Sequence, residues 1–584
     1  MFNQFFASFK ILGKENSIKS TKLLIILILA AFLELLGIGL IVPILSNLFN
    51  VEQTTENFKI IYYLLILFPQ GLSQLVSLSI IFLLVMIFKI CLLLYFDYKS
   101  QKYSREMFVG ISLKAYSYFL YAPWEDVLRK DHGYIIRNIL SDTSRFIGQG
   151  ILQFIYIIKN TLFLFFVLGY LLYINFEITF FVLPLFLIFT IIFLLLLKKK
   201  LENLSSASAA LDEFRFKNIS ETVIGLRDIK LLGNPKYFLN LFKINEEKTT
   251  KITIITTILN KIPRYILEIM IVLGVILTMY YLDINNINVI DFVPLMGLYG
   301  FAILRLVPIF ISYNVSIQAI KFSKTQIDEV IKNASRFSKF YNQNILNDMG
   351  GSSQKKIDFE KDAKINISDV SFSYDKKKYV FKNLNLEIVK DKTIYVEGEN
   401  GSGKSTLVDL ISGMLNPITG KVLFNNQNIQ NFKEEWQNQI GYVSQTYFLI
   451  NSSIKDNIIF GRKNISEDKL KNIIKTVELA TLIDSLPEGI ETKVGNLGGK
   501  LSGGQKQRIV IARALINDPD IIILDEATNA LDNETEDNML KIVNKIKIGK
   551  IIIFIAHSEK IKNFCDINLL IKDNNIQLNY EKKN

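Results

Sequence analysis

Apolar residues are unevenly distributed along this chain. Up to about residue 315 they come in long runs separated by polar or charged stretches, and beyond that point the pattern is that of an ordinary soluble protein. A hydrocarbon core about 30 Å thick needs roughly 20 apolar residues per helix. Six stretches satisfy this, at 23–49, 73–97, 151–174, 178–197, 264–282 and 288–313. Only residues 175–177 separate the third from the fourth, which predicts a helical hairpin. The stretches 98–150 and 198–263 mix charge with helical periodicity and predict helices that continue beyond the bilayer. Residues 58–68 are apolar, too short to span, and are followed by Pro69. They read as an interfacial helix on the outer face, with an extension of a neighbouring span as the alternative.

Composition narrows the class. A chain of 584 residues exceeds what one core supports. Its hydrophobic fraction of 50% and mean hydropathy of +0.28 are too apolar for a soluble enzyme of that size. The two cysteines, Cys91 and Cys565, and the two histidines, His132 and His557, offer neither a disulfide framework nor a Cys/His metal centre. The net charge of +12 is explained by where the cations lie. The N-terminus carries Lys10, Lys14, Lys19 and Lys22, and the loop after the second span carries Lys99, Lys102, Arg105, Lys114, Arg129, Lys130, Arg137 and Arg145. Lys198, Lys199 and Lys200 follow the fourth span, whereas the three loops of the other side hold only Lys59. This asymmetry predicts a multi-pass protein with both termini and both long loops in the cytoplasm, and it accounts for the charge without nucleic acid. The first apolar run is too long for a signal-peptide core, so no cleavable signal is expected.

The chemistry-bearing motifs lie in the C-terminal part. Strand-like segments at 365–374 and 384–396 lead into Gly398, Glu399, Asn400, Gly401, Ser402, Gly403, Lys404, Ser405 and Thr406. This is the G-x-x-x-x-G-K-S phosphate loop in its strand-to-helix context. Its backbone amides wrap phosphates, Lys404 reaches the β- and γ-phosphates, and Ser405 ligates Mg²⁺. A buried apolar strand ends in Asp525 and Glu526, the first supporting Mg²⁺ and the second polarising the attacking water. Leu501, Ser502, Gly503, Gly504 and Gln505 precede a helix and form a second backbone anion nest. One nucleotide does not need two nests in one domain, so one is expected to serve an opposite subunit.

With these motifs in order, residues 365–575 resemble an ABC-transporter nucleotide-binding domain, whose signature is LSGGQ. The resemblance implies a head-to-tail dimer with ATP between the phosphate loop of one copy and Ser502, Gly503, Gly504 and Gln505 of the other. It also implies adenine stacking by Tyr374, Mg²⁺ binding and coupling by Gln445, and γ-phosphate contact by His557. Asn529, Ser558 and Asn496 depart from common family residues, which bears on inter-domain contacts and leaves the catalytic set intact. Six spans fused to one cassette resemble ABC exporters of the half-transporter type. The expected fold is therefore a six-helix membrane domain at 1–335, a linker at 336–364, and an α/β P-loop domain at 365–584. Helices near 122–132 and 217–227 are expected to couple the membrane domain to the cassettes. The expected activity is ATP hydrolysis, with ATP and Mg²⁺ bound and a second copy of the chain as partner.

Ionisable residues inside the spans point to the substrate, because they are costly there and usually functional. Glu34, Lys89, Lys159, Arg264, Glu268 and Arg305 qualify. Four of these are cationic, which suits an anionic head group, with Lys89, Arg264, Arg305 and Glu34 as the candidate cavity. The alternative reading pairs Arg264 with Glu268 on one helix and lets Lys89 and Lys159 snorkel. Pro263, Arg264 and Glu268, then Ala302, Arg305 and Pro308, then Leu33 and Glu34 are similar to the flippases of lipid-linked oligosaccharides in bacterial N-glycosylation. That resemblance implies a polyprenyl-pyrophosphate glycan moved to the outer leaflet of a bacterial inner membrane. Export of another lipid, a drug or a peptide, and an ABC-gated channel, are the alternatives.

Overall fold

The computed structural model describes residues 14–49, 73–128, 130–174, 176–284, 289–333, 336, 363–525 and 533–580. The expected interfacial helix at 58–68, residues 337–362 of the linker, and Glu526 and Asn529 lie outside them. The chain forms two compact units, one of Met1–Ala122 with Lys130–Leu346, the other of Pro123–Arg129 with Asn347–Asn584.

Among its described residues the first unit is all helix. It comprises α1 (Lys14–Gly39), α2 (Ile41–Phe49), α3 (Gln74–Tyr121), then, in the second unit, α4 (Trp124–Leu128), and again in the first α5 (Leu152–Ile174), α6 (Phe176–Ile224), α7 (Leu226–Leu231), α8 (Pro235–Ile284) and α9 (Val289–Phe322). Four helical stretches of described residues are long and apolar enough to cross a membrane. Helices α3, α6 and α8 hold 48, 49 and 50 residues. At 1.5 Å per residue each is about 70 Å long, more than twice a hydrocarbon core, so the charged stretches are helical continuations of the spans. The first apolar run divides at Leu40, because Pro43 has no N–H to donate to the Gly39 carbonyl. The flanking bonds Leu40 N–H to Leu36 O and Ile44 N–H to Leu40 O survive. The short helix after α6 begins at Leu226 beyond a break at Gly225, so residues 217–224 belong to α6 and not to a separate coupling helix.

Ala30 and Ala31 are fully buried and let α1 approach its neighbours closely, with Leu27, Phe96 and Ile151 closing the core. Beyond the apolar spans the packing becomes ionic. Between His132 and α5 the helix is widened by two π-turns, Arg137–Asp142 and Phe146–Ile151. Arg137 there pairs with Asp142 at 3.2 Å and with Glu213 of α6, and Arg145 pairs with Asp212 of α6 at 2.7 Å.

The second unit holds two sheets. An antiparallel sheet runs β2-β1-β4-β5, with β1 at Lys364–Phe372, β2 at Phe381–Val389, β4 at Thr419–Phe424 and β5 at Gln427–Asn428. The larger sheet runs β10-β9-β3-β8-β7-β6. Its strands are β3 (Thr393–Gly398), β6 (Ile440–Val443), β7 (Ile521–Asp525), β8 (Ile551–Ile555), β9 (Ile567–Lys572) and β10 (Asn575–Tyr580). All neighbours pair parallel except β9 with β10. Every residue of β7 and β8 is buried, which is why both strands are unbroken apolar runs and not alternating ones. The single strand expected over 384–396 is two. β2 alternates buried and exposed positions and joins the first sheet, the chain turns at Asp391 (φ 61°), and β3 enters the second.

Arg137 has a 1% exposed carboxylate, Asp142, as its partner, and removing one member of a buried pair leaves the other charge uncompensated at a cost of about 3 kcal/mol. Arg137→Met is therefore expected to lower the thermal unfolding midpoint of the detergent-solubilised protein. The double variant Arg137→Met with Asp142→Leu is expected to regain most of the loss, and equal midpoints for Arg137→Met and the parent would contradict this account.

Candidate nucleotide-binding site

The parallel sheet gathers the motifs. Gly398 ends β3, Gln445 follows β6 by two residues, Asp525 ends β7, and His557 follows β8 by two. Register aligns these ends, with Val396 opposite Ile555, Asp525 opposite Ile555, and Val443 opposite Leu524. In open α/β sheets ligands bind outside the carboxyl ends of parallel strands, and here four such ends carry chemistry-bearing residues.

The phosphate loop joins β3 to α10 (Lys404–Ile411). Gly401 and Gly403 have φ of 82° and 110°, the left-handed region that turns consecutive amides inward. The Lys404 ammonium donates to the Gly398 carbonyl at 2.7 Å and the Glu399 carbonyl at 3.2 Å and is 7% exposed, so it sits inside the loop it closes. Glu399 and Asn400 are exposed and contribute backbone. The Ser402 hydroxyl is buried with no partner, the orphan expected of a loop shaped around phosphate oxygens. Tyr374 shares a 3.0 Å hydrogen bond with Thr406 and packs edge-on against Phe372 at 5.0 Å, leaving its ring 42% exposed beside the loop.

Ser405, Gln445 and Asp525 offer the hard oxygens that Mg²⁺ prefers, and this donor set fits the ion. Asp525 is 8% exposed, and the Tyr442 hydroxyl donates to its Oδ2 at 2.9 Å. Burial and the Asp525 charge push the Tyr442 phenol far above its usual range, so it stays a donor. Burial, reinforced by Asp525, pushes the Asp409 carboxyl up to about 6. Neither Tyr442 nor Asp409 stood out in the sequence. An acid within the Leu407, Val408, Leu410, Ile411 run was the signal available for Asp409. Gln445 and His557 are exposed at the strand ends.

The LSGGQ segment starts α11 (Gly503–Leu515). Ser502 is the N-cap; its hydroxyl accepts from the Gln505 amide at 3.3 Å, and the Gln505 side chain accepts from the Ser502 amide at 2.9 Å. This capping box uses the side chains locally and leaves the first-turn amides of Gly503 and Gly504 as the anion donors.

In the first unit, Glu34 of α1, Lys89 of α3 and Arg305 of α9 come together. Lys89 Nζ lies 2.7 Å from Glu34 Oε2 and Arg305 Nε 3.3 Å from Glu34 Oε1. The Arg305 guanidinium rests 4.8 Å over the Phe301 ring with its side chain 37% exposed. Arg264 does not join them and pairs with Glu268 at 3.0 Å on an exposed helix face. Lys159 pairs with Asp97 at 3.3 Å. Neither lysine snorkels free of a partner, and the candidate cavity of four residues reduces to a three-residue cluster.

The chain is similar to known proteins in sequence and fold. The ABC transporter family model matches residues 381–529, and that of the ABC transporter transmembrane region matches residues 21–299. A heterocyst differentiation ATP-binding protein, HepA, from Nostoc sp. is 40% identical over 194 residues, 33% of this chain and 32% of that protein. A multidrug resistance-like ATP-binding protein, MdlA, from Buchnera aphidicola is 38% identical over 252 residues, 42% of this chain and 43% of that one. The chain thus aligns with less than half the length of these relatives. The solved structure of a bacterial Atm1-family ABC exporter with ATP bound superposes with a TM-score of 0.76 at 17% identity, covering 96% of this chain and 95% of that one.

A Cβ on Gly403 would lie 2.7 Å from Val380 Cγ1 and 3.0 Å from Phe381 Cζ, whereas one on Gly401 would meet nothing within 4 Å. Gly401→Ala carries only the left-handed strain, about 1 kcal/mol, and Gly403→Ala adds a collision. A fluorescent ATP analogue is expected to bind Gly401→Ala within about tenfold of the parent and Gly403→Ala far more weakly. Equal affinities for the two variants would contradict the loop geometry.

Proposed function

We propose that this chain, which has the architecture of an ABC exporter half-transporter with its membrane-spanning helical domain fused to an ABC nucleotide-binding domain, is one half of an ATP-driven exporter working as a pair of identical chains. The observation that carries the reading is the coexistence of two anion nests in one cassette, the phosphate loop with its orphaned Ser402 hydroxyl and the Gly503–Gly504 amides at the start of α11. The second nest completes the nucleotide site of the other copy, and a two-fold pair satisfies both sites at once.

The phosphate-loop amides and Lys404 hold the β- and γ-phosphates, and Tyr374 takes the adenine. Ser405, Gln445 and Asp525 would hold Mg²⁺, which would supply neutralisation of the phosphate charge. Tyr442 fixes the orientation of Asp525 through its hydrogen bond. Glu526 takes the proton of the attacking water, and His557 donates to the γ-phosphate. Nucleotide shifts the membrane domain between its states only through its differential affinity for them. Gln445 and α4 are the elements through which that difference is transmitted.

The cargo is an amphiphile with an anionic head group, and a polyprenyl-pyrophosphate glycan moved from the cytoplasmic to the outer leaflet of a bacterial inner membrane fits best. Four span cations face three carboxylates, Glu34, Glu268 and Asp97, leaving one positive charge in excess. Within the cluster around Glu34, Arg305 is the cation with guanidinium surface to spare, and a planar guanidinium suits a pyrophosphate. Export of another amphiphile is the second reading, favoured by the likeness of 42% of this chain to a multidrug resistance-like protein.

Two measurements test the proposal. Glu526→Gln is expected to cut phosphate release at least 100-fold, the usual contribution of a general base, while the nucleotide stays bound. Undiminished turnover would sink the hydrolytic assignment. In proteoliposomes, Arg305→Ala is expected to slow ATP-dependent flipping of a fluorescent lipid-linked oligosaccharide more than flipping of a neutral lipid. Parallel losses for the two cargoes would favour the second reading.

A further inference from the structure

One cavity of the second unit adjoins the nucleotide site and extends away from the phosphate loop. It encloses about 780 Å³ between α4 and the face of α10 that carries Ser405 and Asp409, with Ser412 just past the helix end. That volume lies in the range of small-molecule sites, roughly 300–1,000 Å³. Its walls are aromatic and apolar, with Trp124 and Leu128 on one side and Tyr442, Val408, Ile440 and Met414 on the other. The segment bearing Trp124 is anchored here because Glu125 Oε1 accepts from the Asn416 amide at 3.0 Å.

The polar group that stands out is Asp409. Among the described residues no cation pairs with its carboxylate, while its neighbour Asp525 repels it. The cavity touches the nucleotide site at Tyr374 and Ser405, yet residues 398–404 do not line it. An anion such as the nucleotide would meet Asp409 and Glu125 there, and both carry the wrong sign for it.

We propose that this cavity binds a small organic cation with an aromatic or alkyl body, its ammonium held by Asp409 and its body packed between Trp124 and Tyr442. A carboxylate supplies the charge, and aromatic faces supply cation–π attraction that strengthens where water is excluded. Such an occupant bridges α4, which follows α3 directly in the chain, to α10, the helix that follows the phosphate loop. It would therefore act on the link between nucleotide and transport and not on the cargo path. The proposal is independent of what the membrane domain carries, and its test needs no nucleotide.

The chain's two tryptophans make the test selective. Trp436 is fully buried with its indole N–H bonded to the Ile411 carbonyl at 2.8 Å, whereas Trp124 is 37% exposed and lines the cavity. The full-length protein in nanodiscs of zwitterionic lipid is titrated with benzyltriethylammonium, with benzenesulfonate as the anionic match, following tryptophan fluorescence. Saturable quenching is expected with the cation, none with the sulfonate, and no saturable signal in Trp124→Phe. Asp409→Asn keeps the shape and removes the repulsion with Asp525, so it should fold, and it is expected to weaken binding at least tenfold. Asp409→Glu, which keeps the charge, retains saturable quenching. Equal response to both ions, unchanged affinity in Asp409→Asn, loss of binding in both Asp409 variants, or displacement of the signal by Mg²⁺ alone would each overturn the proposal.

Discussion

The parallel pairing of β3, β8, β7 and β6 is the constraint on which the nucleotide site depends. Strands that run the same way in register end on the same edge, so residues more than 150 positions apart meet without any loop having to find another. Gly398 and His557 follow from β3 beside β8, Asp525 from β7 beside β8, and Gln445 from β6 beside β7. The price is burial on both faces, which the chain meets with unbroken isoleucine runs in β7 and β8. Polar groups are admitted only where these strands end. Asp525 at the tip of β7 is thus nearly buried and needs the Tyr442 hydroxyl, which comes from the adjacent strand at Ile523's opposite position.

The same economy of charge governs the membrane unit by different means. A carboxylate inside a span is tolerated when cations surround it, and Glu34 receives two, from helices far apart in sequence. Lys89, 3% exposed, is thereby committed to a structural pair, and Arg305 is left with its guanidinium partly open. A buried triad of this kind stabilises weakly in itself, because desolvation offsets most of the attraction. Its firmer consequence is registration, since losing any member strands the charge of the others. Helix registration thus falls on these three residues, which come from α1, α3 and α9.

What the sequence disclosed follows the range of the interactions. The phosphate loop was legible because its glycines, lysine and serine act within nine residues, and the spans were legible because a bilayer demands length. Ser502 and Gln505 flank the glycines of a nest in the sequence, and the structure adds that their side chains close a capping box. Tyr442 with Asp525, 83 residues apart, depends on strand register, and Lys89 with Glu34 depends on which helices pack. Neither has a local signature. The split of 384–396 into β2 and β3 was missed because two apolar strands of different sheets adjoin, with only Lys390, Asp391 and Lys392 between them. The change from alternating to continuous burial marks the boundary.

The capping box also clarifies how one short motif serves two purposes. A helix N-terminus leaves its first amides without partners, and an anion site requires that some remain so. In α11 the amide of the third helical residue, Gln505, is satisfied by Ser502, and the Ser502 amide is satisfied in return by Gln505. This fixes the helix start firmly while Gly503 and Gly504, lacking side chains, keep their amides accessible. Had a side chain at either position covered them, the nest would be closed; had Ser502 or Gln505 been unable to cap, the first turn would fray. The serine and glutamine therefore build the platform, and the glycines between them present it.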